Sequence, residues 1–131
     1  MRALREIEIL FLKERVTAVL LDAEAPKVSE ILWQSLPFET FPTHAKIAGP
    51  EIMAQAPFFI ENGENEVQAQ EAGNIAFWPS RQILCLFYGS CPGLGPISLV
   101  ARVTENIEGL KAAGRRIWVT PGERITFRRK S

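Results

Sequence analysis

The chain has 131 residues, enough for one hydrophobic core and too few for two ordinary ones, so a single domain over residues 1–131 is expected. Hydrophobic residues make up 47% and charged residues 23%, a globular balance that excludes a disordered or fibrous class. Fifteen basic residues are matched by fifteen acidic ones, so no net field draws the chain to nucleic acid or to anionic lipid.

Local features agree with that exclusion. The basic C-terminal run Arg124, Arg128, Arg129 and Lys130 is diluted by Glu123 and interleaved with one aromatic residue, Phe127. The apolar run near Ile83 to Phe87 is strand-sized rather than membrane-sized. With Glu6 and Glu8 among its apolar residues, the N-terminus lacks the apolar core and cleavage site of a signal peptide, and a cytoplasmic protein is expected. Two cysteines, Cys85 and Cys91, cannot build a disulfide framework and do not stand at metal-ligand spacing. Cys85 lies in an apolar run and reads as core packing; Cys91 precedes Pro92 in a glycine-rich loop, with no base beside it in sequence.

Along the chain, Ile7, Ile9 and Phe11 alternate with Glu6 and Glu8, and Val16, Ala18 and Leu20 resume the period of two after Lys13-Glu14-Arg15, which predicts a β-hairpin. Pro26 suits the first turn of a helix over 25–36, with Val28, Ile31, Leu32 and either Ser35 or Leu36 on one face and Pro37 ending it. Pro37 to Pro50 is turn-rich and reads as irregular. Glu51 to Ile60 and Glu66 to Gln70 read as strands separated by the Asn62-Gly63 loop. Asn74 to Trp78 and Gln82 to Tyr88 then flank Pro79-Ser80-Arg81 as the clearest hairpin. The second of these strands is apolar on both faces, as a central strand should be.

Gly89 to Pro96 reads as a loop and Ile97 to Val103 as a strand. Thr104 as N-cap, acidic Glu105 and Glu108, and Gly114 as the stop predict a second helix over 105–113. Arg116 to Val119 and Arg124 to Arg128 read as two closing strands around Thr120-Pro121-Gly122. Many short strands, two helices and no regular βαβ alternation favour a mostly β closed barrel or sandwich over a doubly wound sheet.

Several pieces occur in an informative order: Leu36-Pro37 after the first helix, His44-Ala45-Lys46 with Gly49-Pro50-Glu51, Glu64-Asn65, the run Gly73 to Pro79, Phe87-Tyr88-Gly89, and Asn106 to Leu110 leading to Gly114-Arg115-Arg116. Together they resemble an uncharacterised bacterial and archaeal family with a cyclophilin-like fold. The Gly73 to Pro79 and Phe87 to Gly89 segments also resemble a sister family of compact cyclophilin-like proteins. Asn74 stands where both families usually carry Asp. The resemblance implies a closed antiparallel β-barrel with two short helices.

A working prolyl isomerase of the true cyclophilins uses a Phe-His-Arg cluster that this chain lacks, and Gln55-Ala56-Pro57-Phe58-Phe59-Ile60 matches the corresponding Gln-Phe-Phe-Ile segment only superficially. No isomerase activity is therefore expected. The resemblance does place His44, Lys46, Glu51, Glu64 and Asn65 on the family's recurring polar positions. They are expected to line one cleft beside Trp78 or Tyr88, with Lys46 supplying charge, Glu51 orienting His44, and Asn65 offering a donor and an acceptor to a small anionic or amide-bearing ligand. The plainer alternative has Glu64 and Asn65 capping a turn, Glu51 paired with Lys46 on the surface, and Trp78 filling the core. One histidine among scattered carboxylates is a poor metal set, and Gly93-Leu94-Gly95 lacks the residues of a phosphate loop, so neither metal nor cofactor is expected.

Two functions follow. One is a domain that binds a small molecule in a cleft at the barrel, without nucleic-acid or membrane partners and with self-association left open. The other, by analogy with cyclophilin-like subunits of allophanate- and oxoproline-cleaving hydrolases, is an enzyme or enzyme subunit acting on small amides or ureides. The absence of a recognisable nucleophile in the sequence favours binding.

Overall fold

In a computed structural model that describes residues 4–92 and 95–131, strand β1 (Glu6–Leu10) buries Ile7 and Ile9, and β2 (Arg15–Leu20) buries Val16, Ala18 and Leu20. The two pair antiparallel as the expected hairpin. Helix α1 (Pro26–Ser35) carries Pro26 in its first turn and buries Val28, Ser29 and Leu32. It stops ahead of Pro37, which follows a cis peptide bond from Leu36.

Pro37 to Pro50, expected to be irregular, holds two three-residue strands, β3 (Phe38–Thr40) and β4 (Pro42–His44). Three residues are too few for a period of two to register, and proline argues against a strand unless it lies at an edge. Both strands do lie at the ends of the sheet. Strand β5 (Glu51–Gln55) is shorter than the expected 51–60. Pro57 has no N–H to give a ladder, and the chain beyond it is held by a side chain instead: the Gln82 carbonyl accepts from Ile60 N at 2.9 Å and its amide donates to Ile60 O at 2.8 Å. The strand expected over Glu66 to Gln70 shrinks to β6 (Glu66–Val67), with a single bridge from Gln70 to Cys91.

Strands β7 (Asn74–Trp78) and β8 (Ile83–Phe87) form the expected hairpin, and β9 (Ile97–Glu105) is longer than expected. Gly93 and Leu94, part of the expected loop and of the Gly93-Leu94-Gly95 stretch, lie outside the described residues. Helix α2 (Ile107–Val119) is capped by the Asn106 side chain, which accepts from Gly109 N at 3.0 Å, rather than by Thr104. It runs through Gly114 instead of stopping there. Leu110, Ala113, Gly114 and Ile117 are buried at helical spacing, so the apolar stripe continues and Arg116 to Val119 is helix, not strand. Pro121 follows the end, and β10 (Ile125–Arg129) closes the chain.

All strand pairings are antiparallel, in the order β3-β10-β1-β2-β9-β7-β8-β5-β4, with β6 beside β9. The two ends of this path, β3 and β4, are joined through the single residue Phe41, so the sheet curls into a nearly closed barrel. Inside it Ile7, Ile9, Ile52, Phe77, Leu84 and Phe127 meet the apolar faces of both helices. A smaller cluster of Ala76, Ile83, Cys85, Phe87, Cys91 and Ile97 lies on the other face. Among the described residues no helix is long and apolar enough to cross a membrane.

An ion-pair cluster ties the end of α2 to the first hairpin. Arg116 Nη2 lies 2.8 Å from Glu14 and Arg116 Nε 2.8 Å from Glu123, with all three side chains mostly buried. The guanidinium holds both carboxyls below their ordinary value of 4.5, more than burial raises them. Depressed carboxyls stabilise the fold fully above their ordinary range and lose that contribution as pH falls through the lowered values. Arg116→Met should therefore lower the unfolding free energy near neutral pH by roughly 1.5–3 kcal/mol, the range for hydrogen bonds to charged groups. It should also flatten the acid limb expected of the wild type below about pH 5 in thermal melts. An unchanged acid limb would show that other groups set it.

Candidate functional site

The site is assembled by the pleat of three neighbouring strands. His44 in β4 sits opposite Ile52 in β5, and Ile52 opposite Leu86 in β8. Ile52 and Leu86 point into the barrel, so His44 does too, as does Tyr88, two residues after Leu86. The result is a hydrogen bond of 2.6 Å between Tyr88 Oη and His44 Nε2, while His44 Nδ1 lies 2.8 Å from the Ala45 carbonyl oxygen. Burial pushes the Tyr88 phenol above its ordinary 10.0, opposed by the charge of Arg115, so it keeps its proton.

Helix α2 completes the arrangement. Trp118 packs edge-on against the His44 ring with centroids 4.9 Å apart, and Lys46 Nζ stands 4.0 Å from the centroid of the Trp118 ring. Between them lies a depression of about 300 Å³ lined by His44, Lys46, Ile47, Pro50, Tyr88 and Trp118. The Tyr88 ring reaches His44 because position 114 has no side chain: a β-carbon there would lie 2.2 Å from Tyr88 Cε1. Trp118 was hidden from sequence reasoning because Arg116 to Val119 reads as a strand. Extending the helical stripe past Gly114 would have revealed it.

Glu51 is placed differently. It precedes the inward-facing Ile52, so its side chain lies on the opposite face from His44, and the expected Glu51–His44 orientation is not formed. Glu51 lines a second depression of about 170 Å³ together with Trp78, Met53 and Arg81, and Lys46 borders both. The residue is 4% exposed, and among the described residues its carboxyl forms no ion pair with Lys46; burial pushes that carboxyl upward, offset in part by a hydrogen bond with Cys85. Trp78 is half-buried there, with the Arg81 guanidinium 5.4 Å from its ring centroid.

Glu64 and Asn65 line neither depression. The Glu64 carboxylate accepts from Val28 N at 2.6 Å, meeting the positive end of α1, whose own N-cap, Ala25, has no side-chain acceptor. Asn65 takes a left-handed φ of 52° and donates to Leu99 O at 2.9 Å. The seven candidate residues thus divide into His44, Lys46 and Tyr88 at one place, Glu51 and Trp78 beyond Lys46, Glu64 at the start of α1 and Asn65 against β9, rather than lining one cleft. Asn74 is buried, donating to Gln70 Oε1 at 3.1 Å and facing Arg102 Nη1 at 3.5 Å. Cys91 is buried, its thiol 2.8 Å from Ala48 O. Among the described residues no group of three or more His, Cys, Asp or Glu could hold a metal ion.

A barrel of this topology, with helices packed into its inner core, defines a class, and the sequence pattern of that class matches residues 5–120: the chain belongs to the cyclophilin-like family. No curated protein gives a significant match. Among solved structures, that of McbB in complex with tryptophan superposes with a TM-score of 0.84 at 25% identity, covering 95% of this chain and 45% of that one. This chain therefore spans less than half of McbB. The solution structure of the hypothetical protein AF2241 from Archaeoglobus fulgidus has a TM-score of 0.75 at 23% identity and covers 96% of this chain and 95% of that one, which shows the shared fold.

Glycine to alanine inside a helix ordinarily stabilises by up to about 1 kcal/mol. Gly114→Ala should do the reverse, costing about 1–3 kcal/mol in chemical denaturation, because the new methyl group must displace Tyr88. A stabilised variant would show that the ring moves aside freely. Glu51 has the opposite sign from Glu14: a raised carboxyl favours the fold at low pH and loses that advantage as pH rises through its folded value. Glu51→Gln should match the wild type in melting temperature near about pH 4 and exceed it near about pH 8. A constant difference across that range would mean that Glu51 does not titrate on its own in the fold.

Proposed function

We propose that the chain binds a small planar molecule carrying a negative charge in the depression between His44, Lys46, Tyr88 and Trp118, and that it does not isomerise prolyl bonds. The observation that carries this reading is Lys46. Its ammonium stands 4.0 Å from the Trp118 ring centroid, has no carboxylate partner among the described residues, and borders about 300 Å³ of open space. A cation beside aromatic walls suits a flat anion, and the volume suits a small one. Both nitrogens of His44 are already hydrogen-bonded, which suits holding a ligand better than moving protons as a free base. The likeness to McbB supports the same class, since tryptophan, named with that structure, joins a planar ring to a carboxylate.

Calorimetric titration with indole-3-acetate tests the reading. The wild type should bind, Lys46→Met should weaken binding at least about fivefold, as loss of roughly 1 kcal/mol implies, and His44→Ala should abolish it, with circular dichroism showing all three folded. Equal binding by the three proteins would place the ligand elsewhere. A coupled-protease assay on a proline peptide should show no acceleration over background, and acceleration blocked by a cyclophilin inhibitor would overturn that part of the reading.

A further inference from the structure

We infer that this depression selects ligands that donate an N–H to Tyr88, so that its ligand class is the aromatic carboxylate bearing a ring N–H, such as an indole or pyrrole carboxylate. The inference rests on the reading of the depression as a site for planar anions, and adds the polarity of its hydrogen bonds. It starts from the Ala45 carbonyl. A carbonyl oxygen only accepts, so the contact of 2.8 Å to His44 Nδ1 requires the proton on Nδ1. In the neutral imidazole Nε2 is then bare and can only accept, and the hydrogen across the 2.6 Å contact belongs to Tyr88 Oη.

Tyr88 has one hydroxyl proton, and it is already donated to His44 Nε2 in that hydrogen bond. Tyr88 lines the depression, and among the described residues its Oη has no hydrogen-bond partner besides His44, so its capacity to accept is unused. The lining therefore offers an acceptor at Tyr88, a cation at Lys46 and an apolar wall from Trp118, Ile47 and Pro50. A ligand complementary to all three is flat, negatively charged and supplies its own N–H donor. A ring of the same shape without the donor leaves the phenol oxygen unsatisfied when water is displaced.

The test compares indole-3-acetate with 1-benzothiophene-3-acetate, in which sulfur replaces the N–H in a ring of nearly the same shape, titrated into the wild type and into Tyr88→Phe. The wild type should prefer the indole by about 2- to 10-fold, the worth of one neutral hydrogen bond. Tyr88→Phe, which keeps the ring on Gly114, should bind both compounds alike. Equal binding of the two compounds by the wild type would overturn the polarity while leaving the planar-anion reading intact, and so would a preference that survives in Tyr88→Phe. Binding of neither compound would overturn both.

Discussion

The pleat of the sheet assigns every strand side chain to one of two faces, and no residue can change face without a shift of register. In this barrel the inner face of β5 carries Ile52 and Ala54, the outer face Glu51 and Met53. Because β4 and β8 are locked to β5 on either side, the same rule sends His44 and Tyr88 inward and leaves Glu51 outside. Two polar places therefore lie back to back across one strand, with Lys46 bordering both. The buried acid on one side and the histidine on the other cannot act on each other, whatever their nearness in sequence.

The inner place depends on a helix as much as on the sheet. Tyr88 reaches His44 because Gly114 lets the ring lie against α2, and one further turn along that helix Trp118 covers the His44 ring and meets Lys46. Arg116, between these two residues, anchors the same turn to Glu14 and Glu123. Fold stability and site geometry thus share one stretch of chain, residues 114–118. The outer place is built differently, from a carboxyl and a thiol that burial both pushes toward their neutral forms.

The parts of the fold that were legible in the sequence are those whose side-chain period is long enough to count. The β1–β2 hairpin, α1 and the β7–β8 hairpin each present an uninterrupted pattern over five or more residues. Strands β3 and β4 do not, and their identity comes from pairing with β10 and β5, which is tertiary information. Gly114 reads as a helix stop because a glycine kept for a neighbouring ring looks the same in sequence as one that ends a helix, and that reading hides Trp118. His44 and Lys46 stand out through the family resemblance and Tyr88 as an aromatic residue ending a strand, but their separation from Glu51 follows from register. Glu64 looked like a site residue because its role, capping a helix 36 residues away, leaves no local trace.

The polarity of the depression turns on which nitrogen of His44 carries the proton, and the chain offers a direct way to see it because it contains one histidine. Long-range proton–nitrogen NMR of the imidazole in the folded protein near neutral pH reports the two ring nitrogens separately. Nδ1 should resonate as a protonated nitrogen and Nε2 as a bare one, the latter losing its hydrogen bond in Tyr88→Phe. The opposite tautomer, with the proton on Nε2, would make Tyr88 an acceptor from His44, free its hydroxyl proton for a ligand, and reverse the polarity derived from the Ala45 carbonyl.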